Sequence, residues 1–127
     1  MAYATHDLTP IGTRLGNAEP RVCTPPLRPL TPDTSLGFDV VDFARDVLEM
    51  PLLPWQKVFL IRALELLEDG SFRYKTIVLL VARQNGKSTI SLVLGLFALY
   101  VLRWSTILGV AQDLDTAEEI LDLATDL

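Results

Sequence analysis

Cysteine and histidine are nearly absent from this chain. Cys23 is the one cysteine and His6 the one histidine. A single thiol makes no internal disulfide, which fits a reducing compartment. A cysteine nucleophile would need a base, and His6 sits in a proline-punctuated leader, so both residues read as incidental. Basic runs are missing as well. The 11 Lys and Arg are scattered from Arg14 to Arg103, and the formal net charge is −5, which argues against a free-standing nucleic-acid-binding protein. Met1 to Leu8 has neither a basic start nor an apolar core, so no secretory signal is expected. Ile90 to Leu102 is the most apolar stretch, but it is shorter than the roughly 20 residues of a membrane span. Lys87 and Arg103 bracket it closely, so it reads as a buried core helix in a soluble, cytoplasmic protein with no membrane partner.

What is present is half hydrophobic and 127 residues long, about one globular domain. Its chemistry concentrates in Thr76-Ile-Val-Leu-Leu-Val-Ala-Arg-Gln-Asn-Gly-Lys-Ser-Thr89. The opening run is apolar and rich in β-branched residues, the pattern of a strand buried on both faces. Arg83-Gln84-Asn85-Gly86 is turn chemistry, and a long apolar helical pattern starts at Lys87. Strand, tight loop ending in Gly-Lys-Ser, helix is the order of a nucleotide phosphate-binding loop. Gly86 lets backbone approach a phosphate where a Cβ would intrude. Amides of the loop and first helical turn face the anion at the positive end of the helix dipole. Lys87 reaches the β- and γ-phosphates, and the Ser88 hydroxyl supplies one Mg²⁺ ligand. Thr89 completes the segment. The pattern departs from G-x-x-x-x-G-K-[ST] at one point, with Val81 where glycine is expected.

Six of the eight prolines fall in residues 1–36, which predicts an extended, weakly ordered arm. Pro26-Leu-Arg-Pro29 fits a PxxP ligand by letter only. Residues 37–127 form the predicted domain. Gly37 to Met50 has helical spacing, with Asp39, Asp42, Asp46 and Glu49 on one stripe and Val40, Phe43, Ala44, Val47 and Leu48 on the other. Pro54 suits the first turn of a second helix, predicted from about Trp55 to Glu68 and stopped at Asp69-Gly70. Trp55-Gln56 reads in two ways. A glutamine amide upstream of a phosphate loop matches the N6/N7 edge of adenine, with the tryptophan against the ring; equally, Trp55 is a helix-start core residue and Gln56 a solvated neighbour.

The helix from Lys87 to about Arg103 is apolar nearly all round, and Gly95 suggests close packing against it. Thr106 to Gln112 reads as a second buried strand. Thr116-Ala-Glu-Glu119 is a capping box that opens a last helix with Leu114, Ala117, Ile120, Leu121 and Ala124 on its apolar face. Two buried strands joined by a helix predict a parallel βαβ unit. The expected class is α/β, an incomplete three-layer P-loop NTPase fold with a parallel βαβ core, preceded by two helices and the Pro-rich arm. Phosphoryl transfer also needs a carboxylate at a strand end to hold Mg²⁺. No strand-like run after position 88 ends in one, and Ile120-Leu121-Asp122 lies on the capped helix, so the segment reads as the front part of an ATPase domain.

These residues resemble a known family. Ala82-Arg-Gln-Asn-Gly-Lys-Ser88 is similar to the Walker A variant of the large terminase subunit, the DNA-packaging motor of tailed bacteriophages. In that variant Arg-Gln-x-Gly-Lys-Ser/Thr follows a small residue, which accounts for Val81. Leu53-Pro-Trp-Gln56 resembles the family's adenine-recognition segment, and Gly109-Val-Ala-Gln112 its next strand. Thr31 to Gly37 is similar, more weakly, to the start of such subunits in phages of actinobacteria. The resemblance implies a viral DNA-packaging ATPase that takes ATP and Mg²⁺. Trp55, Gln56, Arg83, Gln84, Asn85, Gly86, Lys87, Ser88 and Thr89 would bind the cofactor, with Ser88 on the metal. Lys87 and Arg83 would be catalytic; Arg83 either stabilises charge on the γ-phosphate or only shapes the loop. Implied partners are double-stranded viral DNA, a portal protein, a small terminase subunit and further copies in a ring, in the host cytoplasm. The family's Walker B carboxylates and nuclease domain have no counterpart here. A helicase-like DNA translocase segment and a catalytically inactive fragment are the competing readings.

Overall fold

Of the four stretches that carry the apolar spacing of a helix, three lie within the described residues, and each of those forms one. The computed structural model describes residues 18–82 and 86–110. Helix α1 is Gly37–Asp46, α2 is Pro54–Ala63 and α3 is Lys87–Tyr100. Residues 1–17 of the arm, Arg83 to Asn85, and Ala111 to Leu127 with the expected capped helix lie outside the described residues.

Helix α1 buries Val40 and Ala44 on the face opposite its acidic stripe. Pro54 is the first residue of α2, where its missing N–H is no loss because the first helical amides have no intrahelical partner. Helix α3 buries Ile90, Leu92, Val93, Leu96, Phe97 and Ala98. The core joins Val40 and Ala44 to Leu52, Leu60, Ile90, Val93 and Phe97, and α1 packs against both other helices. Phe43 meets Phe97 edge to face, with ring centroids 5.5 Å apart and planes at 75°. That arrangement sets the positive ring edge against the negative face. No helix among the described residues is long and apolar enough to cross a membrane.

The expected α/β class is not observed. Among the described residues there are three helices and no strand or sheet, so the parallel βαβ core is absent. The two apolar runs read as buried strands, Thr76 to Val81 and the described part of the second, Thr106 to Val110, are unpaired, and apart from Leu79, which packs against the core, and the half-buried Val81 their side chains face solvent. Val78 is 78% exposed, Leu80 90%, Leu108 85% and Val110 82%. The physical reason is that a strand exists only through a neighbour. Its N–H and C=O groups need an adjacent strand, and no described segment forms a bridge with either run. The β pairing that does occur is two isolated antiparallel bridges, Ser35 with Glu65 and Leu66 with Phe72.

Those bridges also end α2 earlier than its apolar spacing predicts. Leu64 leaves the helical region at φ −97° and ψ 27°. Its carbonyl then accepts from Leu36 N–H at 3.1 Å, and Leu66 N–H donates to Thr34 at 2.8 Å. Chain from the arm has taken backbone groups that the five further residues of predicted helix would have used. Asp69-Gly70 still turns the chain. Gly70 adopts φ +84°, and Asp69 Oδ1 accepts from Ser71 N–H at 3.0 Å and from its hydroxyl at 2.6 Å.

Candidate functional site

The described part of the candidate loop is the junction where the chain enters α3. Gly86 caps that helix in the left-handed region, φ +87° and ψ 22°. Glycine takes this conformation freely, whereas other residues meet a steric clash between Cβ and the following carbonyl. No side chain caps the helix start and no acidic residue stands in its first turn. Among the described residues no side chain accepts from the leading amides, at the end of α3 where the dipole favours negative charge. Lys87 and Ser88 are exposed and Thr89 is half-buried.

The segment Leu53-Pro54-Trp55-Gln56 comes to the same place from the other side. Gln56 is 3% exposed, and its amide Nε2 donates to the Gly86 carbonyl at 2.8 Å across 30 residues of sequence. Its Oε1 accepts from Leu53 N–H at 2.8 Å. Gln56 is the third residue of α2, so that second bond is one half of a capping box. Leucine has no acceptor for the other half. The two bonds fix which amide atom is which, since a flipped amide would set donor against donor and acceptor against acceptor. Trp55 is half-buried and packs against the helical core.

Of the nine expected site residues, Gln56 and Gly86 are in direct contact, and Lys87, Ser88 and Thr89 follow in the first turn of α3. Trp55 stands beside Gln56 but is anchored in the core. Arg83, Gln84 and Asn85 lie outside the described residues. Gln56 is not the solvated helix-start residue of the plainer reading, because burial and both hydrogen bonds remove it from water. Leu53 is a contributor that sequence reasoning missed. Proline at the first helical position followed by Gln at the third marks it, since that Gln reaches back to the backbone of the residue before the proline.

The donor set suits an anion. A left-handed glycine, uncapped helix amides, an exposed ammonium and an exposed hydroxyl fit a phosphate group and one oxygen ligand of a magnesium ion. Groups of three or more His, Cys, Asp or Glu able to hold a metal do not occur among the described residues. A magnesium ion here would draw its remaining ligands from phosphate oxygens and water. Comparison with family models, with curated proteins and with solved structures found no match to this chain.

Proposed function

We propose that the chain is the ATP-binding N-terminal segment of a phage terminase large subunit, the motor that drives viral DNA into a procapsid. The observation that supports this reading best is the Gln56–Gly86 contact. The two sequence segments that carry the resemblance are separated by 30 residues, and they meet at the start of α3. An accidental Gly-Lys-Ser turn has no reason to be buttressed by the other segment. In the proposed site the α3 amides and Lys87 hold the phosphates, and Ser88 gives one oxygen to Mg²⁺. The bound ion would neutralise phosphate charge. Double-stranded DNA, a portal protein, a small terminase subunit and further copies of the chain are the partners that this reading supplies.

The test is calorimetric titration of the full chain with Mg·ATP, set beside Lys87→Ala. A charged hydrogen bond is worth about 1.5–3 kcal/mol, so the substitution is expected to weaken binding at least about tenfold. Equal affinity for the two proteins would remove the phosphate-site assignment.

A further inference from the structure

We infer that Gln56 is a positioning residue that holds the Gly86 turn in its phosphate-accepting shape, and that its contribution to nucleotide binding is independent of the base. This rests on the phosphate reading above and departs from the adenine role that the resemblance implies. The geometry carries it. A glutamine amide reads adenine by offering its oxygen to the N6 amine and its N–H to N7. Here the oxygen already holds Leu53 N–H and the nitrogen already holds the Gly86 carbonyl, each at 2.8 Å. Turning the amide toward a purine would break both bonds and take from two part-buried backbone groups the partners they have.

The fit between the two residues is close from both sides. A Cβ on Gly86 would stand 2.6 Å from Gln56 Nε2, nearer than real carbon atoms approach. The amide therefore fills the space that glycine leaves open. Its own base is firm, because Leu53 precedes a helix started by Pro54 and follows Leu52 in the core. Leu53, Gln56 and Gly86 thus form a brace from the start of α2 to the start of α3. The brace sets the direction of the Gly86 peptide, and with it the amides that follow.

The experiment measures the affinity of the full chain for ATP, GTP and inorganic tripolyphosphate, each with Mg²⁺. Gln56→Ala is expected to weaken all three by one common factor of about fivefold to tenfold, the size of a lost hydrogen bond. Gln56→Glu keeps the acceptor for Leu53 N–H and loses the donor to Gly86. It is expected to bind weakly while the new carboxyl is ionised. Relative to the parent at the same pH it should recover once the carboxyl is protonated and can donate again. This variant also carries the test if the alanine protein fails to fold. A loss confined to ATP, with GTP and tripolyphosphate unaffected, overturns the inference in favour of base reading. Unchanged affinity for all three in Gln56→Ala overturns the brace itself. Lys87→Ala separates the two layers. If tripolyphosphate binding ignores Lys87 there is no phosphate site for Gln56 to position; if binding needs Lys87 and ignores Gln56, only the brace fails.

Discussion

Gly37 and Gly95 sit in two helices of the same bundle for unlike reasons. A Cβ on Gly37 would stand 2.3 Å from Ile61 Cα and 2.4 Å from the Leu60 carbonyl oxygen. Both are backbone atoms of α2, which cannot swing aside as a side-chain tip does. Gly37→Ala is expected to destabilise the chain by about 2–3 kcal/mol through overpacking, read as a lower denaturation midpoint in urea. A midpoint equal to the parent's would show that α1 and α2 are not so close. At Gly95 a Cβ would meet nothing within 4 Å. Among the described residues the close packing expected from the sequence at this glycine is not present, which leaves its helix-weakening entropy. Gly95→Ala should raise stability by about 0.5–1 kcal/mol. A lower midpoint would reveal a neighbour that this space does not contain.

At the scale of elements, the described part of the proline-rich arm is tied to the chain that follows α2. Glu65 is 1% exposed, and its carboxylate accepts from Leu27 N–H and from Arg73 Nη1, each at 3.0 Å. Arg73 also donates to the Pro25 carbonyl at 2.9 Å, and Arg28 to the Leu66 carbonyl at 3.0 Å. Ser35 Oγ adds a 2.6 Å bond to the Ile61 carbonyl. The attachment is polar, since Val22 and Leu27 remain exposed. Glu65→Ala would leave Arg73 and Leu27 N–H without their acceptor, at a cost of about 3 kcal/mol. Arm peptide bonds near residues 20–30 should then be cut faster in limited proteolysis. An unaltered digestion pattern would mean that Glu65 does not secure the arm. None of this was readable from spacing alone. Glu65 fell within a predicted helix running to Glu68, and only its carboxylate bonds to Leu27 and Arg73 reveal its role.

For the molecule as a whole, binding and turnover are expected to come apart. The residues that suit phosphate binding cluster at one helix start. No apolar run after Ser88 ends in a carboxylate of the kind that holds Mg²⁺ during phosphoryl transfer. The chain of residues 1–127 is therefore expected to bind Mg·ATP and release no phosphate above the uncatalysed background in a continuous phosphate assay. Turnover that disappears in Lys87→Ala would overturn this. Among the described residues no sheet supports that helix start, and the runs on either side of α3 carry no regular secondary structure and expose Val78, Leu80, Leu108 and Val110.

The helices were legible because their information is local. Each N–H pairs four residues back, so spacing, Pro54 and Gly86 placed α1, the start of α2 and α3 close to where they lie. The Gly-Lys-Ser turn and the Trp-Gln pair were legible for the same reason, as short patterns with a known chemical use. The apolar runs at 76–81 and 106–110 have strand-like composition, but composition does not supply a pairing partner. The tertiary structure left them unpaired. It also stopped α2 at Ala63, tied the arm to Glu65, and committed the amide nitrogen of Gln56 to backbone 30 residues away. Contacts across such separations depend on the packing of the whole chain, and no local pattern encodes them.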